Sequence, residues 1–437
     1  MDKLPVVVIG AGPQGLASAA HLRERGLRPL VLERGAGAGA AVAEWGHVRL
    51  FSAWPELVDP ASVRLLESTG WEAPTTGYPT GQQWVERYLA PLAQALGQHV
   101  RFGVEVVGVS RAGRDRLVSS GRADQPFTVH LRDGAGVESR IAARAVIDAS
   151  GTWGRPGPAG ADGLPAIGER SARQISYRIP DHREPGVHAG KHTVVLGSGA
   201  SAFNALHELT RIAAHSPGTR ITWAIRRAVR DDTFGGGGAD ELPERGALGL
   251  RARAAVESGA VGLVTGFRTA RVRTMGDQVV LVGEDGAELG PADAVVALTG
   301  FRPDLSFLAE VRLDLDPTLE APRSIAADID PNLHSCGSVR ATGAADLAQP
   351  EPDLYLVGMK SYGRAPTFLA LTGYEQVRSV AAALAGDHEA AARVELVLPD
   401  TGVCGGAGTF DEPEAADGGC CAPATPISIS RRTVNLL

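Results

Sequence analysis

The feature that most constrains the fold is an apolar strand that runs directly into a glycine-rich turn near the start of the chain. In "PVVVIGAGPQGLASAAHLRERGLRPLVLERG" (5–35), the run "VVVI" is typical of a strand buried on both faces. Gly10, Gly12 and Gly15 follow with the spacing G-x-G-x-x-G, and an alanine-rich helix comes next. A second strand then ends in Glu33. This order of elements predicts a complete dinucleotide-binding unit.

Each part of this unit has a chemical reason. The glycines let backbone N–H groups approach a pyrophosphate at the helix N-terminus. Glu33 can accept hydrogen bonds from a ribose diol, and its charge repels a 2′-phosphate. Arg34, the next residue, is predicted to lie in the same nucleotide site. The alternative is a glycine-rich turn in an unrelated α/β fold, which the strand, helix and terminal acid together disfavour.

The same pattern returns in "KHTVVLGSGASAFNALHELTRIAA" (191–214). The three glycine positions are occupied by Gly197, Gly199 and Ala202. The next strand, within 219–230, ends in Arg226 and Arg227 and not in an acid. Guanidinium groups suit the 2′-phosphate of NADP, so this unit is predicted to bind NADPH. The alternative is a pair of surface arginines.

The second unit lies inside the first along the chain. Two apolar strands end in Ser150-Gly151 and Thr299-Gly300, and each resembles a connection between the units. A further short strand, a turn at Gly358 and a long helix would complete the first unit. The predicted fold class is therefore α/β, with two Rossmann-like dinucleotide-binding domains, the NADP domain inserted in the FAD domain, and an irregular C-terminal tail. The predicted bounds are 1–160 and 301–395 for the FAD domain, 161–300 for the NADPH domain and 396–437 for the tail.

Composition narrows the function. The chain has 437 residues and a formal net charge of −7, which argues against a broad nucleic-acid surface. No run of about 18 apolar residues predicts a membrane span, and the N-terminal stretch lacks the pattern of a signal peptide. Four cysteines do not make a disulfide framework in so long a chain. We therefore expect a cytoplasmic enzyme that acts on a small molecule.

Three of the cysteines lie in the tail: Cys404, Cys420 and Cys421. Trivalent arsenic and other thiophilic ions bind two or three thiolates well, so these residues are candidates for capture of a soft ion such as arsenite. The alternative is that they are incidental exposed cysteines. Cys336 stands alone in "HSCGS" and is more typical of an inert residue.

Over roughly 5–390, the sequence resembles the flavin-containing monooxygenase superfamily. The resemblance rests on four segments: "GAGPQG" (10–15), "SGTWGRPGPAG" (150–160), "GSGASA" (197–202) and "LTGFRPD" (298–304). The segment "WGHVRLFSAW" (45–54) and the tail cysteines are similar to a subgroup of flavin-binding monooxygenases often encoded beside arsenic-resistance genes. The superfamily fingerprint F-x-G-x-x-x-H-S/T is not intact, because Ala166 and Ala172 replace its aromatic residue and its histidine.

The resemblance implies FAD and NADPH as cofactors. Hydride passes from NADPH to FAD, dioxygen forms a C4a-hydroperoxyflavin, and a small soft nucleophile (sulfur, nitrogen or trivalent arsenic) is oxidised. This chemistry requires no side-chain nucleophile, so no catalytic residue is assigned. Lys360, Tyr362 and Arg364 follow the Gly358 turn and could contact either cofactor or be ordinary surface residues.

Two other classes stay open at this point. A flavoprotein disulfide or metal-ion reductase normally carries a Cys-x-x-Cys pair against the flavin, which this chain lacks, although the tail thiols could take its place. A sensor or metal-binding module derived from a flavoprotein is disfavoured because both nucleotide patterns are retained. The sequence also leaves open a homodimer.

Overall fold

The computed structural model describes residues 3–240, 242–333, 340–366 and 368–396. Within these ranges, the first parallel sheet has the order β16-β7-β1-β2-β3. Its strands come from both ends of the chain: β1 (Val6–Ile9), β2 (Pro29–Leu32), β3 (Val100–Arg101), β7 (Ala145–Asp148) and β16 (Leu354–Leu356). The apolar runs of β1 and β7 are buried along their whole length, as expected for strands covered on both faces.

The second parallel sheet is built entirely from the middle of the chain. Its order is β11-β10-β9-β15-β8 in the part of the chain that the structure describes. The strands are β8 (Ile175–Ser176), β9 (His192–Leu196), β10 (Arg220–Ala224), β11 (Gly262–Val264) and β15 (Ala294–Ala297). The predicted α/β class is confirmed, with one nucleotide fold inserted in the other. The domain bounds given above stay a prediction.

A small antiparallel meander of three strands comes before one strand of each parallel sheet along the chain. Before β7 come β4 (Val104–Arg111), β5 (Phe127–Asp133) and β6 (Glu138–Ala143). Before β15 come β12 (Thr269–Met275), β13 (Gln278–Gly283) and β14 (Glu288–Ala292). The two halves of the molecule therefore repeat one plan: strand, glycine turn, helix, strand, meander, and a final strand that leads into a connection.

Helices cover the sheets. In the described ranges they are α1 (Pro13–Glu24), α2 (Ala40–Ala43), α3 (Pro60–Glu67), α4 (Gly81–Trp84), α5 (Ala90–Leu96), α6 (Ala200–His215), α7 (Pro243–Glu257), α8 (Arg323–Ile329), α9 (Ala344–Leu347), α10 (Ala370–Leu384) and α11 (His388–Ala392). A π-helical turn, Val85–Leu89, joins α4 to α5. Short 3-10 helices include Glu169–Ser171, Ser306–Leu308 and Gly358–Tyr362. None of the described helices combines the length and the apolar character that crossing a bilayer requires.

Two helices position the first nucleotide site. Helix α1 follows the first glycine turn, and α10, the predicted long helix near the C-terminal end, packs along it. Leu16, Leu22, Val377 and Val380 are wholly buried in the core that these two helices share with the first sheet. The N-terminal ends of both helices are thereby fixed close to the carboxyl edge of that sheet, where α/β folds bind their ligands.

Candidate functional site

The first glycine turn is shaped to receive a phosphate. Gly10 has φ +99°, and a Cβ there would lie 2.9 Å from the carbonyl oxygen of Ala149. A Cβ on Gly15 would lie only 1.9 Å from the Gly10 carbonyl oxygen, so glycine is required where α1 packs on the strand. A Cβ on Gly12 would meet no atom within 4 Å. Gly12 is also the N-cap of α1 and has no side-chain cap, so the first backbone N–H groups face an open space.

Glu33 closes this turn from the end of β2. Its Oε2 accepts from Ala11 N at 2.7 Å, and its Oε1 accepts from Gly35 N at 2.7 Å. Both bonds fix the carboxylate beside the glycine turn, and the remaining lone pairs suit a ribose diol. Arg34 is exposed, and its Nη2 lies 2.9 Å from where a Cβ on Gly154 would be. The donor set therefore fits the adenosine diphosphate half of FAD.

The second glycine turn repeats this geometry. Gly197 has φ +117°, and its Cβ would lie 2.1 Å from the Leu298 carbonyl oxygen. Gly199, the uncapped N-cap of α6, faces open space in the same way as Gly12. Ala202, in the third position, is wholly buried in the core under the helix. The buried indole of Trp223 donates from Nε1 to the Gly197 carbonyl oxygen at 2.7 Å and so fixes the turn.

Arginines gather at the end of β10, where the second ribose is expected. Arg226 donates from Nη1 to the Ala161 carbonyl oxygen at 2.7 Å. Its pKa lies below the usual range, first because the surrounding protein desolvates it and then because Arg268 and Arg227 are close. Arg268 also forms an ion pair with Glu284 at 2.7 Å. The sequence predicted Arg226 and Arg227 here but missed Arg268, because only the meander brings that residue to β10.

The two connections between the sheets pair with each other. Pro156 and Phe301 form an antiparallel bridge, and Gly157 N donates to the Gly300 carbonyl oxygen at 2.7 Å. Thr299 Oγ1 donates to the Pro158 carbonyl oxygen at 2.8 Å. Gly300, like Gly151 in the other connection, has a positive φ. The segments that the sequence identifies as connections therefore lie side by side between the two nucleotide folds.

Side chains from both folds meet beside these connections. Trp153 Nε1 donates to Glu44 Oε2 at 2.9 Å, and Arg178 Nη2 forms an ion pair with the same oxygen at 3.0 Å. The guanidinium of Arg178 also lies over the Trp153 ring at 4.2 Å. His47 Nε2 donates to the Pro180 carbonyl oxygen at 3.0 Å. The segment 45–54 thus reaches the second fold through His47, whereas its Trp54 is buried in the first core.

A buried ion pair lies at the carboxyl edge of the first sheet. Lys360 Nζ lies 3.1 Å from Asp148 Oδ2, and both side chains are fully buried. Lys360 also donates to Ser150 Oγ at 2.9 Å and to the Asp304 carbonyl oxygen at 2.5 Å. The lysine therefore joins the ends of both connections to the 3-10 helix Gly358–Tyr362. The sequence left open whether Lys360 and Tyr362 contact a cofactor or are ordinary surface residues. Both are buried, so the surface alternative is wrong for these two, and contact with a cofactor stays a prediction.

Gly358 allows this 3-10 helix to approach α1. It has φ +66°, and a Cβ there would lie 2.7 Å from Gln14 Cγ. Its N–H donates to Gln376 Oε1 at 2.8 Å. Arg364, which follows the same helix, is exposed as the sequence allowed.

The segment that departs from the superfamily fingerprint packs against the hydrophobic core of the second fold. Ala166 and Ala172 are both buried in the core beside the second sheet. Glu169, between them, accepts from Ala159 N at 2.9 Å, from Ala166 N at 2.6 Å and from the Tyr177 hydroxyl at 2.6 Å. The tail candidates Cys404, Cys420 and Cys421, and also Cys336, lie outside the described residues.

Comparison with known proteins agrees with this geometry. A family model described as pyridine nucleotide-disulphide oxidoreductase matches residues 7–322. A flavin-containing monooxygenase, FMO GS-OX-like 2 of Arabidopsis thaliana, is 25% identical over 235 residues, which cover 48% of this chain and 47% of that protein. The match thus spans about half the length of this curated relative.

Two solved structures share the fold. Bacillithiol disulfide reductase Bdr (YpdA) from Bacillus cereus is 19% identical with a TM-score of 0.66, and the match covers 88% of this chain and 99% of that chain. A flavin-containing monooxygenase from Stenotrophomonas maltophilia is 24% identical with a TM-score of 0.54, and covers the same shares. The comparisons confirm the resemblance to the flavin-containing monooxygenase superfamily. They do not show the narrower resemblance to the arsenic-associated subgroup. Since the family model matches well over half of its length, the chain belongs to the pyridine nucleotide-disulphide oxidoreductase family.

Proposed function

We propose that this chain is a flavin-dependent monooxygenase that uses NADPH and dioxygen to oxidise a small soft nucleophile. The observation that carries the proposal is the pair of open glycine turns at Gly12 and Gly199, one on each parallel sheet, with the connections between the sheets paired. Two nucleotide sites held in one body are what electron transfer from a nicotinamide to a flavin requires. The flavin-containing monooxygenases among the relatives support this reaction class.

FAD is assigned to the first sheet. The N-terminus of α1 binds the pyrophosphate through backbone N–H groups, and Glu33 binds the adenosine ribose. Ser150, Gly151 and Gly358 line the path along the carboxyl edge toward α10. When bound, FAD supplies hydride acceptance and the activation of dioxygen.

NADPH is assigned to the second sheet. The N-terminus of α6 binds its pyrophosphate, and the arginines at the end of β10 bind the 2′-phosphate. An acid at that position would repel this phosphate, and β10 is followed by arginine instead. Thr299 and Gly300 then lie where the nicotinamide half passes toward the first sheet.

The chain's own residues orient the cofactors and exclude water from the region between the two sheets. Lys360 is fully buried and joins Ser150 to Asp304 through a hydrogen bond to each. Because its charge is compensated by Asp148 and satisfied by two further acceptors, it can stay buried without destabilising the edge. No side chain is required as a nucleophile, so the proposal assigns none.

The substrate is proposed to present sulfur, nitrogen or trivalent arsenic. In the arsenic case, Cys404, Cys420 and Cys421 would capture the ion and deliver it to the cleft between the folds, because soft thiolates prefer such ions. A role in arsenic resistance is the narrowest form of this proposal.

The adjacent pair Cys420 and Cys421 favours a second candidate, an NADPH-dependent disulfide or metal-ion reductase. In that enzyme, electrons would leave the flavin through the tail thiols. The absence of any Cys-x-x-Cys pair from the sequence makes this the weaker candidate.

Turnover with and without oxygen separates the two. The flavin-loaded protein is supplied with NADPH and a thioether, an amine or arsenite, and NADPH oxidation and hydrogen peroxide are measured together. A monooxygenase consumes NADPH in step with oxidised product under air and stops after one reduction of the flavin under nitrogen. Continued anaerobic NADPH oxidation with a disulfide would establish the reductase and refute the proposal.

A further inference from the structure

The loop 160–164 is held from two sides by arginines. Arg226, at the end of β10, donates to the Ala161 carbonyl oxygen at 2.7 Å. Arg302, which follows the paired part of the second connection, donates from Nη2 to the Gly163 carbonyl oxygen at 2.6 Å. The loop is therefore attached both to the end of β10 in the second sheet and to the second connection.

A second guanidinium meets Arg302 at this loop. Gly163 has φ +86°, and the point where its Cβ would be lies 3.1 Å from Arg302 Nη2 and 4.0 Å from Arg364 Nη2. Arg364 comes from the opposite fold, directly after the 3-10 helix that carries Lys360. Two arginines from separate parts of the chain thus converge on one glycine, where the absence of a side chain leaves room.

These two charges face each other without a carboxylate between them. Among the described residues, neither Arg302 nor Arg364 has an acidic group within the 4.0 Å that defines an ion pair. Burial lowers the pKa of Arg302 first, and then the neighbouring charges of Arg364 and Arg155 lower it further, against the opposing effect of Glu320.

Two nearby acids, Asp304 and Asp162, have other partners, and Glu320 acts on Arg302 without forming an ion pair with it. Asp304 lies 3.9 Å from Arg155, and Asp162 accepts from Leu164 N at 2.9 Å. Glu320 is only partly exposed, and its Oε2 is buried. Among the described residues, no carboxylate therefore forms an ion pair with either arginine, which leaves donors of both guanidinium groups available to an anionic ligand.

We infer that Arg302 and Arg364 bind an anionic group, a carboxylate or similar oxyanion, of the molecule that this chain oxidises. The inference rests on the proposed function and names its substrate class. A guanidinium group carries several N–H donors in a planar fork, which carboxylates and similar oxyanions accept. The phosphates of NADPH already have their own donors at the N-terminus of α6 and at the end of β10. Arg364 instead follows the 3-10 helix beside the first sheet, to which FAD is assigned.

An apolar surface adjoins the pair. Leu164, the residue after Gly163, is 64% exposed, and with Pro165 and Ala166 it lines an open surface depression of about 560 Å³. This volume lies in the usual range for small-molecule sites. A substrate with an apolar body and one acidic group would match both features.

The test uses two probes of equal shape, para-(methylsulfanyl)benzoate and para-(methylsulfanyl)benzamide. Their binding to the flavin-loaded full chain, saturated with NADP⁺, is measured by calorimetry for the wild type, R302Q/R364Q and R364K. R273Q is the matched control, because Arg273 is ion-paired with Glu288 on the remote meander. Oxidation of both probes is followed separately with NADPH under air.

The wild type and R273Q should bind the benzoate about tenfold more tightly than the benzamide, the value of one charge-assisted interaction. R302Q/R364Q should lose this preference with less than a twofold change in NADP⁺ affinity, and R364K should retain part of it. Equal binding of the two probes by the wild type, or failure of both to bind, would overturn the inference. So would a loss of NADP⁺ affinity in the double variant, which would assign the arginines to the nucleotide. Absence of sulfoxide from probes that do bind would instead contradict the proposed oxygenation and leave the anion site standing.

Discussion

Gly12 and Gly15 lie three residues apart in the first glycine turn, yet a methyl group at the two positions would meet different surroundings. At Gly15 it would lie 1.9 Å from a backbone oxygen, so α1 would have to move. At Gly12 it would project into the open space assigned to the pyrophosphate. The fold therefore requires glycine at Gly15, and the proposed ligand would require it at Gly12.

We expect Gly15→Ala to lower the stability of the flavin-free protein by about 1–3 kcal/mol, because overpacking against backbone cannot relax. Gly12→Ala should change it by less than about 1 kcal/mol, as for the loss of a glycine N-cap, and should weaken FAD binding at least about tenfold. Thermal unfolding of the flavin-free protein and fluorescence titration with FAD measure the two effects. Tight FAD binding by Gly12→Ala would contradict the assigned site.

The arginines after β10 give a second prediction for single residues. Replacing Arg226 and Arg227 together with alanine should raise the KM for NADPH at least about tenfold, because charge-assisted bonds to the 2′-phosphate are lost. The KM for NADH, which lacks that phosphate, should change much less. Steady-state NADPH and NADH oxidation measure both, with Arg273→Ala as control. Equal effects on the two nucleotides would refute the role.

At the scale of secondary-structure elements, one buried carboxylate attaches the first meander to the body. Glu351, just before β16, accepts from Arg111 Nε at 2.8 Å and from Arg122 Nη2 at 2.7 Å. Arg111 lies in β4, and its guanidinium lies over the Phe127 ring of β5 at 3.7 Å. Since all three charged side chains are buried, the loss of the carboxylate would leave two cations uncompensated.

Glu351→Gln should therefore destabilise the fold by about 3–5 kcal/mol at pH 7. Burial alone would raise the pKa of Glu351, but the hydrogen bonds from Arg122 and Arg111 outweigh it and hold the pKa below its usual range. The stability from this group is present above the unfolded pKa, about 4.3, and is lost as the pH falls through the lower folded value. Urea unfolding should show the difference between wild type and variant shrinking below about pH 4. A difference that stays constant between pH 7 and pH 3 would contradict this account.

At the scale of the whole molecule, the proposed function depends on both nucleotide folds and, in its arsenic form, on a tail whose cysteines the sequence alone identifies. Replacing Cys404, Cys420 and Cys421 with serine should weaken arsenite binding at least about tenfold, because three soft ligands are exchanged for hard ones. The flavin content should stay unchanged, since the proposed flavin site lies on the first sheet. Equilibrium dialysis with arsenite and the visible absorption spectrum measure the two. An unchanged arsenite affinity would end the capture hypothesis.

The sequence by itself determined the two nucleotide folds and their glycine turns, because strand burial, helix starts and turn conformation are local properties that short segments encode. Gly10, Gly12, Gly197 and Glu33 were predicted for that reason. Only the tertiary structure decided that Lys360 is buried against Asp148, that Arg268 joins Arg226, and that Arg302 meets Arg364 at Gly163. Each of these pairs joins residues that lie far apart in the chain, and their contact depends on how the connections and meanders fold back. No local pattern carries that information, since the free energy of such contacts exists only once the sheets are packed.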